Sequence, residues 1–130
     1  MVAPHVETVL HDWLAPAFPA ARVCTETPAD LADVLPCLRV VGIGGSGDAY
    51  GFDSPHVDVD VFAATRSAAR DLAQQVSWSL LHDLPGQMVA GTFVLSASEF
   101  LAPTWTPYDN TTLRRFVLSV GLRMHTRSVA

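Results

Sequence analysis

The 130-residue sequence contains no lysine, and its eight basic residues are all arginine. The absence of lysine excludes the lysine of a phosphate-binding P-loop and any Schiff-base chemistry. The arginines are also outnumbered, since thirteen acidic residues give a formal net charge of −5. Binding to nucleic acid through neutralised phosphates is therefore not expected.

Cysteine is also scarce, and long apolar runs are missing. Cys24 and Cys37 are the only cysteines, and neither has a cysteine or histidine at zinc-binding spacing. Each lies in a predicted strand, where a buried free thiol is the commonest outcome, although a disulfide between them stays possible. No apolar run approaches the ~20 residues that span a bilayer, and the first residues do not resemble a secretory signal, so no membrane association is expected.

The hydrophobic pattern predicts one α/β (α+β) domain over residues 1–130, with elements in the order α-β-β-β-α-β-β. Two amphipathic helices are predicted, one from about Pro4 that Pro16 and Pro19 end, and one over about Arg66 to Asp83 that Thr65 caps. The predicted strands are Ala21–Thr25, Leu38–Ile43, Val57–Ala63, Met88–Leu95 and Leu113–His125. Gly44–Pro55 and Ser96–Asn110 are predicted to be irregular. We expect a mixed, mostly antiparallel sheet of four to five strands with both helices packed on one face.

The segment Gly42–Gly47 matches the G-x-G-x-x-G fingerprint of dinucleotide-binding proteins. In those proteins a helix begins at the last glycines, and its free backbone amides hold the pyrophosphate. Here Gly51 and Pro55 interrupt any helix over Asp48–His56. The fingerprint therefore does not predict a dinucleotide site.

A second motif overlaps the first, because a Gly-Ser turn at Ser46 followed by Asp58 and Asp60 resembles a nucleotidyltransferase signature. The two aspartates are two residues apart on a predicted strand, so both carboxylates point to one face and could hold magnesium beside a nucleotide phosphate. That chemistry usually adds a third carboxylate on a neighbouring strand, but Met88–Leu95 contains none. It also uses basic residues near the turn, and none occurs there.

A structural role for the same strand is the favoured interpretation. The three valines between residues 57 and 61 would face the core, while His56, Asp58 and Asp60 would form the solvated face of a half-buried strand. His56 beside the two aspartates could complete a metal site. Ser46 does not match the G-x-S-x-G nucleophile elbow. We therefore expect no enzyme activity, with no catalytic, metal-binding or cofactor-binding residue and no cofactor.

Six segments in order, within about residues 20 to 127, carry a resemblance to a known family. They are Arg22–Leu31, Pro36–Val40 leading to Gly44-Gly45, Pro55–Ala63, Thr65–Ala69, Pro103–Asp109 and Arg115–Arg123. Together they resemble the tail terminator proteins (tail completion or minor tail proteins) of long-tailed bacteriophages, particularly those that infect high-GC Gram-positive hosts.

This resemblance implies a structural virion protein at the head-proximal end of the tail, assembled in the host cytoplasm. Such proteins form a ring, usually of six copies, on the last ring of tail tube protein. They stop tube polymerisation and meet the head–tail connector or stopper protein, and double-stranded DNA passes through the ring without sequence-specific binding. A connector or stopper protein is the alternative, and a nucleotidyltransferase that uses Asp58 and Asp60 is a less favoured one.

The two irregular stretches are the predicted subunit and tail-tube contacts, because a closed ring needs two different complementary patches. Aromatic residues on polar loops are common interface anchors, although they could equally cover the sheet edges of their own subunit. The predicted contact residues are Asp48, Tyr50, Phe52, Asp53, Trp105, Tyr108 and Asp109. Asp58 and Asp60 are predicted to face the lumen, where acidity would let DNA slide without sticking.

Overall fold

The computed structural model describes residues 5–47 and 52–126, and within these ranges the chain forms two α-helices, a short 3₁₀ helix at Leu31–Asp33 and one six-stranded sheet. Helix α1 spans Val6–Ala17, and helix α2 spans Arg66–Trp78 and continues into a π-helical turn at Ser79–Asp83. The strands are β1 Arg22–Cys24, β2 Cys37–Gly47, β3 Phe52–Ala63, β4 Met88–Val89, β5 Thr92–Trp105 and β6 Arg114–Thr126. Their order in the sheet is β1-β2-β3-β6-β5-β4, with β1 parallel to β2 and the other neighbours antiparallel.

Both helices begin at side-chain caps. His5 accepts a hydrogen bond at Nδ1 from the backbone N–H of Glu7 (3.2 Å), and Thr65 accepts one at Oγ1 from the N–H of Ala68 (3.2 Å). The prediction for α2 is therefore confirmed. Pro16 does not end α1 but lies in its last turn, where the helix stops one residue later. Neither helix in the described part of the chain is long and apolar enough to cross a bilayer.

The larger of two hydrophobic clusters lies on the sheet face that the helices cover, and a smaller, separate one contains Leu31, Cys37, Phe62 and Leu113. Val59 is fully buried and lies opposite Val40 on one neighbouring strand and Leu118 on the other. Buried side chains of both helices, such as Leu10 and Val76, belong to the same cluster. The expected packing of both helices on one face is therefore confirmed, as is the mixed, mostly antiparallel sheet.

The sheet has one strand more than the four to five predicted. The predicted strand Met88–Leu95 is two strands, β4 and β5, because the chain turns back at Ala90 and Gly91, which have φ values of 51° and 75°. The prediction that Ser96–Asn110 is irregular is wrong up to Trp105, where β5 ends, and is confirmed for residues 106–110. Residues 98–102 are exposed, and β5 shows three register shifts against β6. Such a strand has no apolar alternation for a sequence pattern to detect.

The predicted glycine-rich loop Gly44–Pro55 is also mostly strand. β2 runs to Gly47 and β3 starts at Phe52, so the two form a long hairpin. A bulge interrupts their register between Gly42 and Gly45. Glycine offers no side chain to alternate, which is why the pattern was missed.

The register defines two ends of the sheet. The hairpin end holds Gly47, Phe52, Phe93 and His125, which are neighbours across β2, β3, β6 and β5. The opposite end, called here the arginine end, holds Cys37, Phe62, Ala63, Trp105, Arg114 and Phe116. These two ends carry the predicted contact residues that lie within the described ranges.

Candidate assembly surfaces

Asp60 lies on the sheet face away from the helices, directly across from Arg39 of β2. Arg39 donates a hydrogen bond from Nη2 to the Asp60 carboxylate and another from Nη1 to Thr27. Its guanidinium also lies 5.7 Å from the ring centroid of Phe62. Asp60 is only 6% exposed. The expectation that this carboxylate is solvated is therefore wrong, because a fixed cation covers it.

Asp58 has a different partner. Ser119, its neighbour on β6, donates a hydrogen bond from Oγ to the half-buried Asp58 carboxylate. His56 does not join the two aspartates but packs its ring against Phe100, with 4.4 Å between ring centroids. Among the described residues, no three His, Cys, Asp or Glu side chains are grouped so as to hold a metal ion. The strand therefore uses each aspartate for an internal contact.

The hairpin end holds two of the predicted contact residues, both half-buried. The ring of Phe52 lies 4.7 Å from that of His125, and the Arg123 guanidinium lies 4.7 Å from the Phe52 centroid. Asp53 lies opposite Gly47, where a Cβ atom would be 2.7 Å from the Asp53 carboxylate. Two further predicted residues of this segment, Asp48 and Tyr50, fall outside the described residues.

The arginine end holds the remaining three predicted contact residues. Trp105 packs against Phe116 at 5.7 Å in a T-shaped contact, and Tyr108 packs against Phe62 at 5.0 Å. Both rings are half-buried, so each covers its own sheet and still reaches solvent, while Asp109 is exposed. Of the predicted contact residues that the structure describes, Phe52 and Asp53 therefore lie at one end of the sheet, and Trp105, Tyr108 and Asp109 lie at the other.

Sequence reasoning missed two features of these surfaces. Phe100 is 56% exposed and lies over Gly121, where a Cβ atom would be 2.4 Å from the ring. A glycine in the middle of a strand is a signal of close approach, and it could have indicated this contact. The second feature is the stacking of Arg66 on Trp105 and of Arg115 on Tyr108. No sequence spacing indicates it, because the pairs come from different elements or from a loop.

The two cysteines are free and adjacent, with 3.4 Å between their Sγ atoms. Burial is the main cause that raises the pKa of the Cys37 thiol to about 12, and its hydrogen bond with Cys24 adds to the effect. Such a thiol is protonated at neutral pH, so it is a packing residue and not a nucleophile.

The described residues thus define a small α+β domain in which the contacts Arg39–Asp60 and Ser119–Asp58 join neighbouring strands. A family model described as "Phage tail termination protein" matches residues 2–125, and the chain belongs to this family. The resemblance seen in the sequence is confirmed. The protein is a structural component of a phage tail.

A solved structure has a similar fold. One chain of the "Virion of native gene transfer agent (GTA) particle" matches with a TM-score of 0.56 and 16% sequence identity, over 90% of this chain and 84% of that chain. At this identity the likeness concerns the fold alone. No curated protein matches the sequence significantly.

Proposed function

We propose that the protein forms a closed ring, of six copies, at the head-proximal end of the phage tail tube. There it ends polymerisation of the tail tube protein and joins the tail to the head–tail connector or stopper protein. The observation that carries this proposal is the match of the family model to residues 2–125, nearly the whole chain. Assembly in the host cytoplasm and a place in the virion tail follow from that role.

Two unlike ends of one sheet support the ring. A ring closes only through a heterologous contact, in which one patch of a subunit meets a different patch of the next. Phe52 and Asp53 at the hairpin end differ from Trp105, Tyr108 and Asp109 at the arginine end. These residues remain our proposed contacts between subunits or with the tail tube.

An uncovered sheet face also supports assembly. Phe93 and Leu101 lie opposite His125 and Ser119, on the face away from the helices, and they are 37% and 42% exposed. Phe100 adds to the same face. Exposed large apolar side chains along one strand often mark a surface that is covered in an assembly.

We further propose that the β3 part of this face, with Asp58 and Asp60, lines the lumen, through which double-stranded DNA passes without sequence-specific contacts, whereas the β5 part, with Phe93 and Leu101, is covered in the assembly. Arg39 neutralises Asp60, so this residue adds little net charge there. The negative potential of the lumen would come from Asp58 and from the net charge of −5 on each copy. Weak attraction for phosphates is what free passage of DNA requires.

Polymerisation of the tail tube protein, with and without this protein, tests the proposal. We expect shorter tubes that carry one ring of extra density at one end, measured by negative-stain electron microscopy. Asp109→Arg should weaken this effect, because Asp109 is exposed at a proposed contact. Asp83→Arg makes the same change of charge at another exposed position and is the control. Unchanged tube lengths, with binding to the connector alone, would instead indicate a stopper.

A further inference from the structure

A hollow of about 350 Å3, open to solvent, lies at the arginine end of the sheet. It is formed where α2 begins, β5 ends and β6 begins. We call it the Arg66–Trp105 hollow, and its lining includes Arg66, Trp105, Pro107, Tyr108, Leu113 and Arg114. Arg115 adjoins it, with its guanidinium 5.1 Å from the Tyr108 ring centroid.

Arg66, Arg114 and Arg115 have no carboxylate oxygen within 4.0 Å in the described ranges 5–47 and 52–126. In contrast, Arg39 and Arg70 each pair with an aspartate. The chain has thirteen acidic residues for eight arginines, so carboxylates are not in short supply. One end of the sheet therefore holds a group of arginines that no carboxylate of the described ranges neutralises, although the protein is acidic.

The arginines are held in place by their own chain. Arg66 stacks on Trp105, with 4.5 Å from its guanidinium carbon to the ring centroid. Arg115 donates from Nε to the Thr106 carbonyl (3.3 Å) and from Nη2 to the Pro107 carbonyl (3.1 Å). Arg114 donates from Nη1 to the backbone carbonyl of Thr111.

These contacts leave N–H donors of each guanidinium unused, since a guanidinium carries five. Donors fixed in a planar fork match the two oxygens of a carboxylate. Because the side chains are already positioned, binding such a group costs little further conformational entropy. The hollow is thus prepared for an anionic group that the described part of the subunit does not supply.

We propose that the Arg66–Trp105 hollow binds carboxylate side chains from the hairpin end of a second copy of this chain. This inference rests on the proposed ring and names one of its contacts. The surplus of acidic residues in the chain makes a neighbouring copy a source of carboxylates. Asp53 lies at the hairpin end and the hollow at the other end, which is the arrangement that a head-to-tail contact needs.

Nucleic acid is the less favoured occupant. One face of Trp105 and one face of Tyr108 are each covered by a guanidinium, so those faces cannot stack on a base. The net charge of −5 on the chain also opposes a close approach of phosphates. Duplex DNA is therefore added in the cross-linking experiment below, to test whether it competes with the second copy for the hollow.

The absence of lysine permits a direct test. Arg66→Lys introduces one ε-amine into a chain that has none. A zero-length carbodiimide then joins this amine to a carboxylate in contact with it: an amide bond forms, and the water that is lost hydrates the carbodiimide to a urea. We would mix ¹⁴N- and ¹⁵N-labelled full-length protein, with and without tail tubes, and identify cross-linked peptides by mass spectrometry.

Arg22→Lys is the matched control, because Arg22 is exposed on β1, at the far edge of the sheet. The unmodified protein controls for the amino terminus. We expect peptides of mixed isotope from Arg66→Lys to be about ten-fold more abundant than from Arg22→Lys, with an acidic residue of the hairpin end as partner. At 0.5 M salt they should decrease, because the contact is ionic.

Three results would overturn the inference: equal cross-linking in both variants, cross-links within one copy only, or loss of the cross-link when duplex DNA is added. An Arg66→Lys variant that caps tubes without cross-linking would refute the hollow and leave the proposed function standing. Unmodified protein that fails to cap tubes would refute the function, whereas mixed-isotope cross-links in solution would still support the hollow.

Discussion

Arg39 and Asp60 form an ion pair across β2 and β3, on the sheet face that the helices leave open. This pair favours a structural role for the segment Asp58–Asp60 over a magnesium site. One of the two carboxylates that a magnesium site would require already has a cation beside it, and the other accepts a hydrogen bond from Ser119. The segment therefore holds neighbouring strands together.

Removing one member of this pair should destabilise the fold. Asp60→Ala leaves the Arg39 guanidinium poorly compensated in a largely buried place, so we expect a loss of about 3 kcal/mol in the free energy of unfolding. Urea denaturation followed by circular dichroism measures it. Arg39→Met combined with Asp60→Leu should recover much of the loss, because both charges are then absent.

Asp58→Asn is the control for that experiment, since the half-buried Asp58 bonds to a neutral hydroxyl group. We expect a loss of about 1 kcal/mol in the free energy of unfolding.

Magnesium with a nucleoside triphosphate should leave the stability of the unmodified protein unchanged. Calorimetric binding of the nucleotide that disappears in Asp58→Ala would restore the nucleotidyltransferase interpretation.

Because of the bulge in β2, alanine should destabilise the fold more at Gly45 than at the neighbouring Gly44. Gly45 has φ 133°, and a Cβ atom there would lie 2.3 Å from the Ser54 carbonyl oxygen, so Gly45→Ala must shift the backbone. We expect a loss of about 3 kcal/mol. Gly44 has φ 102° but faces open space, so Gly44→Ala should cost about 1 kcal/mol. Thermal unfolding of the two variants measures the difference, and equal losses would contradict the bulge geometry.

Two leucines on neighbouring strands test which face of the sheet is covered. Leu118 on β6 is fully buried, so Leu118→Ala should cost about 3 kcal/mol through lost burial and a cavity. Leu101 on β5 is 42% exposed, so Leu101→Ala should stay within about 0.5 kcal/mol of the unmodified protein. Denaturation of the isolated subunit gives both values. A large loss for Leu101→Ala would mean that this face is already covered.

Alkylation should separate the two cysteines. Burial raises the pKa of Cys37 to about 12, so at pH 8 iodoacetamide should label half-buried Cys24 about ten-fold faster than Cys37. Because the raised pKa favours the neutral thiol in the fold, its contribution to stability is complete below pH 9.0, the ordinary value, and is lost as the pH rises towards 12. Cys37→Ala should therefore reduce the decline in stability over that range. Equal labelling of both thiols would contradict the burial of Cys37.

Elements with a buried face were predictable from the sequence. The alternation in Leu113–His125 and the stripe of α2 repeat with the period of the structure that they form, because one side of each meets the core. The long strand β5 was not predictable, since both its faces are exposed over residues 98–102. The strand parts of Gly44–Pro55 were missed because glycines have no side chain to display a period.

The proposed contacts were predictable only as residue types. Aromatic residues in stretches predicted to be loops indicated an assembly surface. Phe52 and Trp105 are therefore still proposed contacts by residue type, without a partner identified from the sequence. The contacts of these aromatic residues within the subunit were not predictable from the sequence. Arg66, which stacks on Trp105, lies at the start of α2, thirty-nine positions earlier in the chain.

The sequence by itself determined the fold class, the faces of the helices and central strands, and the family, since these depend on the local order of apolar and polar residues. Only the tertiary structure decided that Asp60 is neutralised by Arg39 and that three arginines with no carboxylate partner among the described residues lie at one end of the sheet. Such pairings depend on which strands become neighbours and in which register. That choice is made by the packing of the whole chain, and no local pattern records it.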